Sequence, residues 1–125
     1  MNKASVLIVE DHPIFSKGLA LLINAQEGFT VVGEARNGSE ALSMLVEKKP
    51  DLAVVDLNLG DEDGLEIIAA MKSRAANLKI LVLSMYDERY YAERSLKAGA
   101  SGYVMKEEAS SLVVDALKTV LQGKI

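Results

Sequence analysis

Residues 52–56 read Leu52-Ala53-Val54-Val55-Asp56, four apolar side chains that run straight into a carboxylate. Three other runs end in the same way. Val6-Leu7-Ile8-Val9 leads into Glu10 and Asp11, Ile80-Leu81-Val82-Leu83 into Ser84, and Tyr103-Val104-Met105 into Lys106. Only the run around Val31 and Val32 lacks a chemical terminus. Read as parallel strands, these runs put their carboxyl ends on one sheet edge, where ligands of open α/β folds bind. Three carboxylates, a hydroxyl and an ammonium then meet in one pocket.

Helix-like segments alternate with the runs, so the chain reads as repeated βα units. Phe15, Leu19, Leu22 and Ile23 mark the face of the first helix, with Pro13 in its first turn and Gly28 as its stop. Asn37 and Glu40 form a capping-box-like start for a second helix carrying Ala41, Leu42, Leu45 and Val46, closed by Pro50. Asp63 and Glu66 repeat that pattern before Ile67, Ile68 and Met71, after a loop marked by Gly60 and Gly64. The fourth helix, from Asp87 to Ala98, is weakly amphipathic; Ala92 and Leu96 are its best apolar positions, with Tyr90 and Tyr91 partly exposed. Gly99 supplies its stop, and Gly102 precedes the fifth strand. Val113, Ala116, Leu117, Val120 and Leu121 make the last stripe after a Ser110-Ser111 start.

A chain of 125 residues, half of them hydrophobic, builds one ordinary core and reads as one domain, 1–125. With no cysteine it has neither a disulfide framework nor a thiolate metal site, and a reducing, cytoplasmic setting is expected. Its apolar stretches fall well short of the roughly 20 residues of a membrane helix. The net charge of -4, without a basic stripe, argues against this domain gripping a phosphate backbone by itself.

Glu10, Asp11 and Asp56 make an oxygen-only donor set for a hard divalent cation, for which Mg2+ is the natural candidate. Taken alone, an acidic pair more often caps a helix or faces water. Asp56, held at the rim of a packed sheet, can attack phosphorus and form an acyl phosphate if charge on the phosphoryl oxygens is neutralised. The metal and Lys106 would supply that neutralisation, although a single lysine is otherwise more often a snorkelling surface residue. Ser84 offers a hydroxyl to a phosphoryl oxygen, or else serves a turn. Tyr103 is either a half-buried sheet residue or a ring that answers the state of Ser84. His12, the single histidine, reads as a helix-start residue near the acids, and no GxxxxGK[ST], GxGxxG or GxSxG motif is present.

This order of residues resembles the receiver domain of two-component response regulators, the CheY-like family, over essentially the whole chain. The resemblance rests on Glu10-Asp11, on Asp56 within VVDLNLGDEDGLE, on Ser84 within LVLSMYD and on Lys106 within KAGASGYVMKE. EDHPIFSKGL and KAGASGYVMK look most like the NarL/FixJ subfamily, whose members carry a LuxR-type helix-turn-helix output after the receiver. The resemblance implies a doubly wound, CheY/flavodoxin-like fold: a five-stranded parallel sheet in the order 2-1-3-4-5 with five helices.

The resemblance further implies that a sensor histidine kinase donates a phosphoryl group to Asp56. Mg2+ would be held by Glu10, Asp11, Asp56 and the Asn58 backbone carbonyl, while Ser84 and Lys106 grip the phosphoryl oxygens. Tyr103 would move inward with Ser84 and reshape the surface of the fourth helix and fifth strand. A transcriptional DNA-binding output beyond residue 125, and a homodimer formed on phosphorylation, are expected with it. Such a chain is a switch with self-catalysed phosphoryl transfer and autodephosphorylation, not a conventional enzyme.

Four positions depart from the common receiver pattern. Glu10 stands where Asp is frequent, Gly60 where proline often follows the acceptor loop, Met85 where a small residue is usual, and Glu107 where many receivers have proline, so no cis peptide is expected there. Two other functions fit parts of the pattern: a stand-alone interaction module, and a Mg-dependent phosphohydrolase. The latter lacks a second acid two residues after Asp56, since that position is Asn58.

Overall fold

The apolar runs form one parallel sheet of five strands, β1 (Ala4–Val9), β2 (Phe29–Ala35), β3 (Leu52–Asp56), β4 (Lys79–Ser84) and β5 (Gly102–Met105), ordered β2-β1-β3-β4-β5. The structure is a computed structural model that describes residues 3–85 and 88–122, and side chains outside 88–91. Five helices connect and flank the strands: α1 (Pro13–Asn24), α2 (Gly38–Lys48), α3 (Gly64–Arg74), α4 (Glu88–Ala98) and α5 (Ala109–Leu121). Both the fold class and the strand order expected from the sequence are present.

Both faces of the sheet are covered, which is why the inner strands β1, β3 and β4 read as unbroken apolar runs and not as alternations, whereas the edge strand β2 carries Thr30, Gly33 and Glu34. Leu7, Val9, Ala53, Val55, Ile80 and Val82 pack with Ala41 and Leu45 of α2 and with Ile67, Ile68 and Met71 of α3. Their neighbours Val6, Ile8, Leu52, Val54, Leu81 and Leu83 pack with Leu19 and Ile23 of α1 and with Val113, Leu117 and Val120 of α5.

Several local expectations change. Helix α1 ends at Asn24, before Gly28, because Asn24 Oδ1 accepts the Val31 amide at 2.8 Å and draws the chain into β2. Asn37 caps α2 by accepting the Glu40 amide, but Glu40 reaches back to the Arg36 amide, one residue short of a reciprocal box. Asp63 caps α3 through the Leu65 amide. Val46 and Leu121 are exposed, since each lies one residue past the inward position, Leu45 or Val120, at its helix end. In α4 the inward face is Ala92, Ser95 and Ala98, spaced by three, and Leu96 points outward; Ser95 is fully buried. The side chains of Tyr90 and Tyr91 lie outside the described residues.

A short antiparallel ladder joins Asn58–Leu59 to Glu62–Asp63 between β3 and α3, with Gly60 at φ +57 in its turn. Two contacts fix this hairpin. A Cβ on Gly64 would sit 2.6 Å from the Leu57 Cα, so only glycine lets the start of α3 lie against the end of β3. Glu62 Oε1 accepts the Gly38 amide at 3.0 Å and ties the hairpin to the first turn of α2.

Candidate functional site: an acidic cluster bridged by one lysine

The two buried acids and the lysine of the site lie at the carboxyl ends of strands. Asp56 is the last residue of the central strand β3 and is 1% exposed. Glu10 follows β1 directly, extends its ladder by donating its backbone N–H to the Ala35 carbonyl, and is 2% exposed. Lys106 leaves β5 as the first residue of a 3-10 turn, Lys106–Glu108. Its ammonium lies 3.0 Å from Asp56 Oδ2, 3.0 Å from Glu10 Oε1 and 4.7 Å from the centre of the Phe15 ring. One cation thus bridges acids 46 residues apart.

The electrostatics follow from burial. Desolvation raises the pKa of Asp56 from its ordinary 3.8 to about 6, against the Asn58 amide and Lys106, which favour the carboxylate; Glu10 adds to the rise. Burial also opposes ionisation of Glu10, but hydrogen bonds from His12 and Lys106 outweigh it and hold its pKa below the usual value. Lys106 is raised despite desolvation, because Asp56 and Glu10 both favour its charged form.

Asp11 lies at the mouth beside His12, whose Nδ1 is 3.1 Å from Asp11 Oδ1 and 2.9 Å from Glu10 Oε2. Asn58 donates its amide to Asp56 Oδ1 at 2.9 Å, and its side-chain Oδ1 accepts the Met85 amide at 3.3 Å. Those bonds fix the acceptor loop on both sides without using the carbonyl assigned to the metal. Ser84 ends β4 fully buried, one residue beyond Leu83, the register partner of Asp56. Tyr103 pairs with Val82 in β5 and is half-buried against the α2/α3 side of the core. Phe15 carried no chemical signal in the sequence beyond its place on an apolar helix face, yet its ring floors the lysine.

The donor set fits a hard cation. Glu10, Asp11, His12 and Asp56 each offer a ligand atom, all within 4.8 Å of one another. Glu10 Oε1 and Asp11 Oδ1 are buried and make no well-angled hydrogen bond among the described residues, although a cationic or ring nitrogen lies near each. Buried carboxylate oxygens left in this state are costly unless a further positive partner is accommodated.

A doubly wound sheet carrying this cluster at its carboxyl edge defines a response-regulator receiver, and the response regulator receiver domain profile matches residues 6–118. The chain belongs to that family. Its relatives are NarL/LuxR-type regulators. It is 46% identical over 98% of its length to a Pseudomonas aeruginosa protein named as a transcriptional regulator, and 40% identical over 94% to the Bordetella pertussis virulence-factor transcription regulator BvgA. The chain spans 58% and 56% of those two proteins. A crystal structure of a LuxR-family two-component response regulator from Aurantimonas superposes with a TM-score of 0.92 at 33% identity, covering 98% of this chain and 88% of that one. No helix among the described residues is long and apolar enough to cross a membrane.

Proposed function

We propose that this receiver is a phosphorylation-dependent switch in which Asp56 accepts a phosphoryl group from the phosphohistidine of a sensor histidine kinase. The observation that carries the reading is the single Lys106 ammonium held 3.0 Å from both Asp56 and Glu10. A pKa of about 6 leaves Asp56 ionised at neutral pH yet more basic than an exposed aspartate, which suits a nucleophile. One of its oxygens bonds to phosphorus as the phosphorus–nitrogen bond breaks, and the departing imidazole keeps the bonding pair. Lys106 then follows the charge from the carboxylate to a phosphoryl oxygen, while Ser84 donates to another.

Mg2+, held by Glu10, Asp11, Asp56 and the Asn58 carbonyl, would supply neutralisation of the phosphoryl charge. The closeness of the three carboxylates, two of which share a single ammonium, supports that assignment. Displacement of Ser84 draws Tyr103 inward and changes the surface that α4 and β5 present. The response is a homodimer and, through a DNA-binding domain beyond residue 125, control of transcription in the cytoplasm. The transfer is self-catalysed, and the product is a modified protein.

With Mg2+ and acetyl phosphate, mass spectrometry is expected to detect one added phosphoryl group on the wild type and none on Asp56→Asn. Equal labelling of the two proteins would refute the acceptor.

A further inference from the structure

His12 is the sole histidine of the chain and occupies a position that the phospho-acceptor reading leaves unused. Its Nδ1 stands 2.9 Å from Glu10 Oε2, 3.1 Å from Asp11 Oδ1 and 3.5 Å from Lys106 Nζ, so this nitrogen faces the cluster although the side chain is largely exposed. The residue is anchored there by its backbone. The His12 amide also donates to Glu10 Oε2, at 3.0 Å, and His12 is the N-cap of α1, ahead of Pro13, whose fixed φ sets the helix direction. An ordinary N-cap accepts amides of its own first turn, and the His12 side chain makes no such bond. It turns instead toward the two acids.

Resting on the metal-site reading above, we infer that His12 supplies an imidazole nitrogen to the cation site formed by Glu10, Asp11 and Asp56, and so sets which divalent ions this receiver takes. Geometry supports a ligand role beyond a hydrogen-bonding one: the four candidate donor atoms lie within 4.8 Å of one another, and His12 Nδ1 faces both Glu10 and Asp11. A cation held among these donors would take the Nδ1 lone pair and would be the positive partner shared by ring and carboxylates.

The chemical consequence is selectivity. Oxygen donors alone suit Mg2+, whereas an added imidazole favours Co2+, Ni2+ and Zn2+, which bind nitrogen far better than magnesium does. His12 thus widens the site toward borderline ions without altering the oxygens that serve Mg2+. Most of the ring is open to solvent, so replacing it leaves the core undisturbed.

The test uses Co2+ and Mg2+ separately in equilibrium dialysis against the wild type and His12→Gln, with proton NMR of the single imidazole during Co2+ addition to the wild type. The expected result is a loss of Co2+ affinity for the variant about tenfold or more larger than its change in Mg2+ affinity, together with hyperfine-shifted ring protons in the wild type. Unchanged Co2+ affinity, or an unshifted ring at saturating Co2+, overturns the imidazole ligand. If His12→Gln still gains a phosphoryl group from acetyl phosphate with Mg2+ in that case, the acceptor reading survives alone. Absence of Mg2+ binding by both proteins would sink the two together.

Discussion

Replacing Asp56 with Asn should stabilise the protein, and by an amount that depends on pH. Burial lifts the folded pKa of Asp56 from 3.8 to about 6, so between those values the folded chain binds a proton that the unfolded chain has lost. Stability therefore falls as pH rises through that window. The penalty is absent below the unfolded value and complete above the folded one. At 1.36 kcal/mol per pKa unit it reaches about 3 kcal/mol by pH 8. Asparagine resembles the protonated acid: its oxygen can keep the Asn58 amide, and Lys106 keeps Glu10. Glu10, whose lowered pKa gives stability that is lost on acidification, is present in both proteins and largely cancels in the comparison. The assay is urea unfolding followed by far-ultraviolet circular dichroism, with chelator present, at intervals from pH 4 to pH 8. The advantage of Asp56→Asn over wild type should grow by about 2.5 kcal/mol across that range, because pH 4 already lies just above the unfolded pKa. A difference that stays flat with pH would refute the claim that burial of this carboxylate is costly.

Lys106→Ala leaves two almost fully buried carboxylates facing each other and should cost about 3–5 kcal/mol at pH 8 without divalent ions, with partial recovery on adding Mg2+; urea titration measures both. Gly64→Ala drives a Cβ into the Leu57 backbone and should cost about 1–3 kcal/mol in the same assay, with weaker Mg2+ binding because the loop carrying Asn58 moves. Leu117→Ala empties a fully buried site on α5 and should cost about 2–5 kcal/mol while leaving acetyl-phosphate labelling of the folded fraction intact.

The fold was legible because the inner strands of a doubly covered sheet must be apolar on both sides, so β1, β3 and β4 appear as unbroken runs that end on a chemical residue. The helices were harder wherever their inward face is small or short. Ser95 between Ala92 and Ala98 carries no hydrophobic signal, while Leu96 beside it carries a strong one and points outward. Val46 misled in the same way at the end of α2. Periodicity identifies a helix more securely than it identifies the face that a flat sheet selects. Residue type gave the candidate chemistry of Glu10, Asp56 and Lys106, but it could not place the His12 ring against both acids, since that depends on how α1 leaves the sheet. Nor could it pair Glu62 with the Gly38 amide, a bond between loops 24 residues apart.

The same burial that makes the sheet legible also creates the site. A strand covered on both faces gives its final residue little water, so an aspartate ending the central strand is desolvated and its charge must be met locally. Strands β1, β3 and β5, the last two separated by β4, bring an acid, an acceptor and an ammonium to one edge. With two acids and one lysine in contact, that trio carries a net negative charge that Lys106 alone does not cancel. The remaining charge is what a divalent cation and an incoming phosphoryl group would rearrange. If Asp11 supplies the open side of the cation site, Asp11→Asn should weaken Mg2+ binding while changing urea stability by less than about 1 kcal/mol, because its carboxylate is only partly buried. Equal Mg2+ affinity in the variant and wild type would place the cation elsewhere.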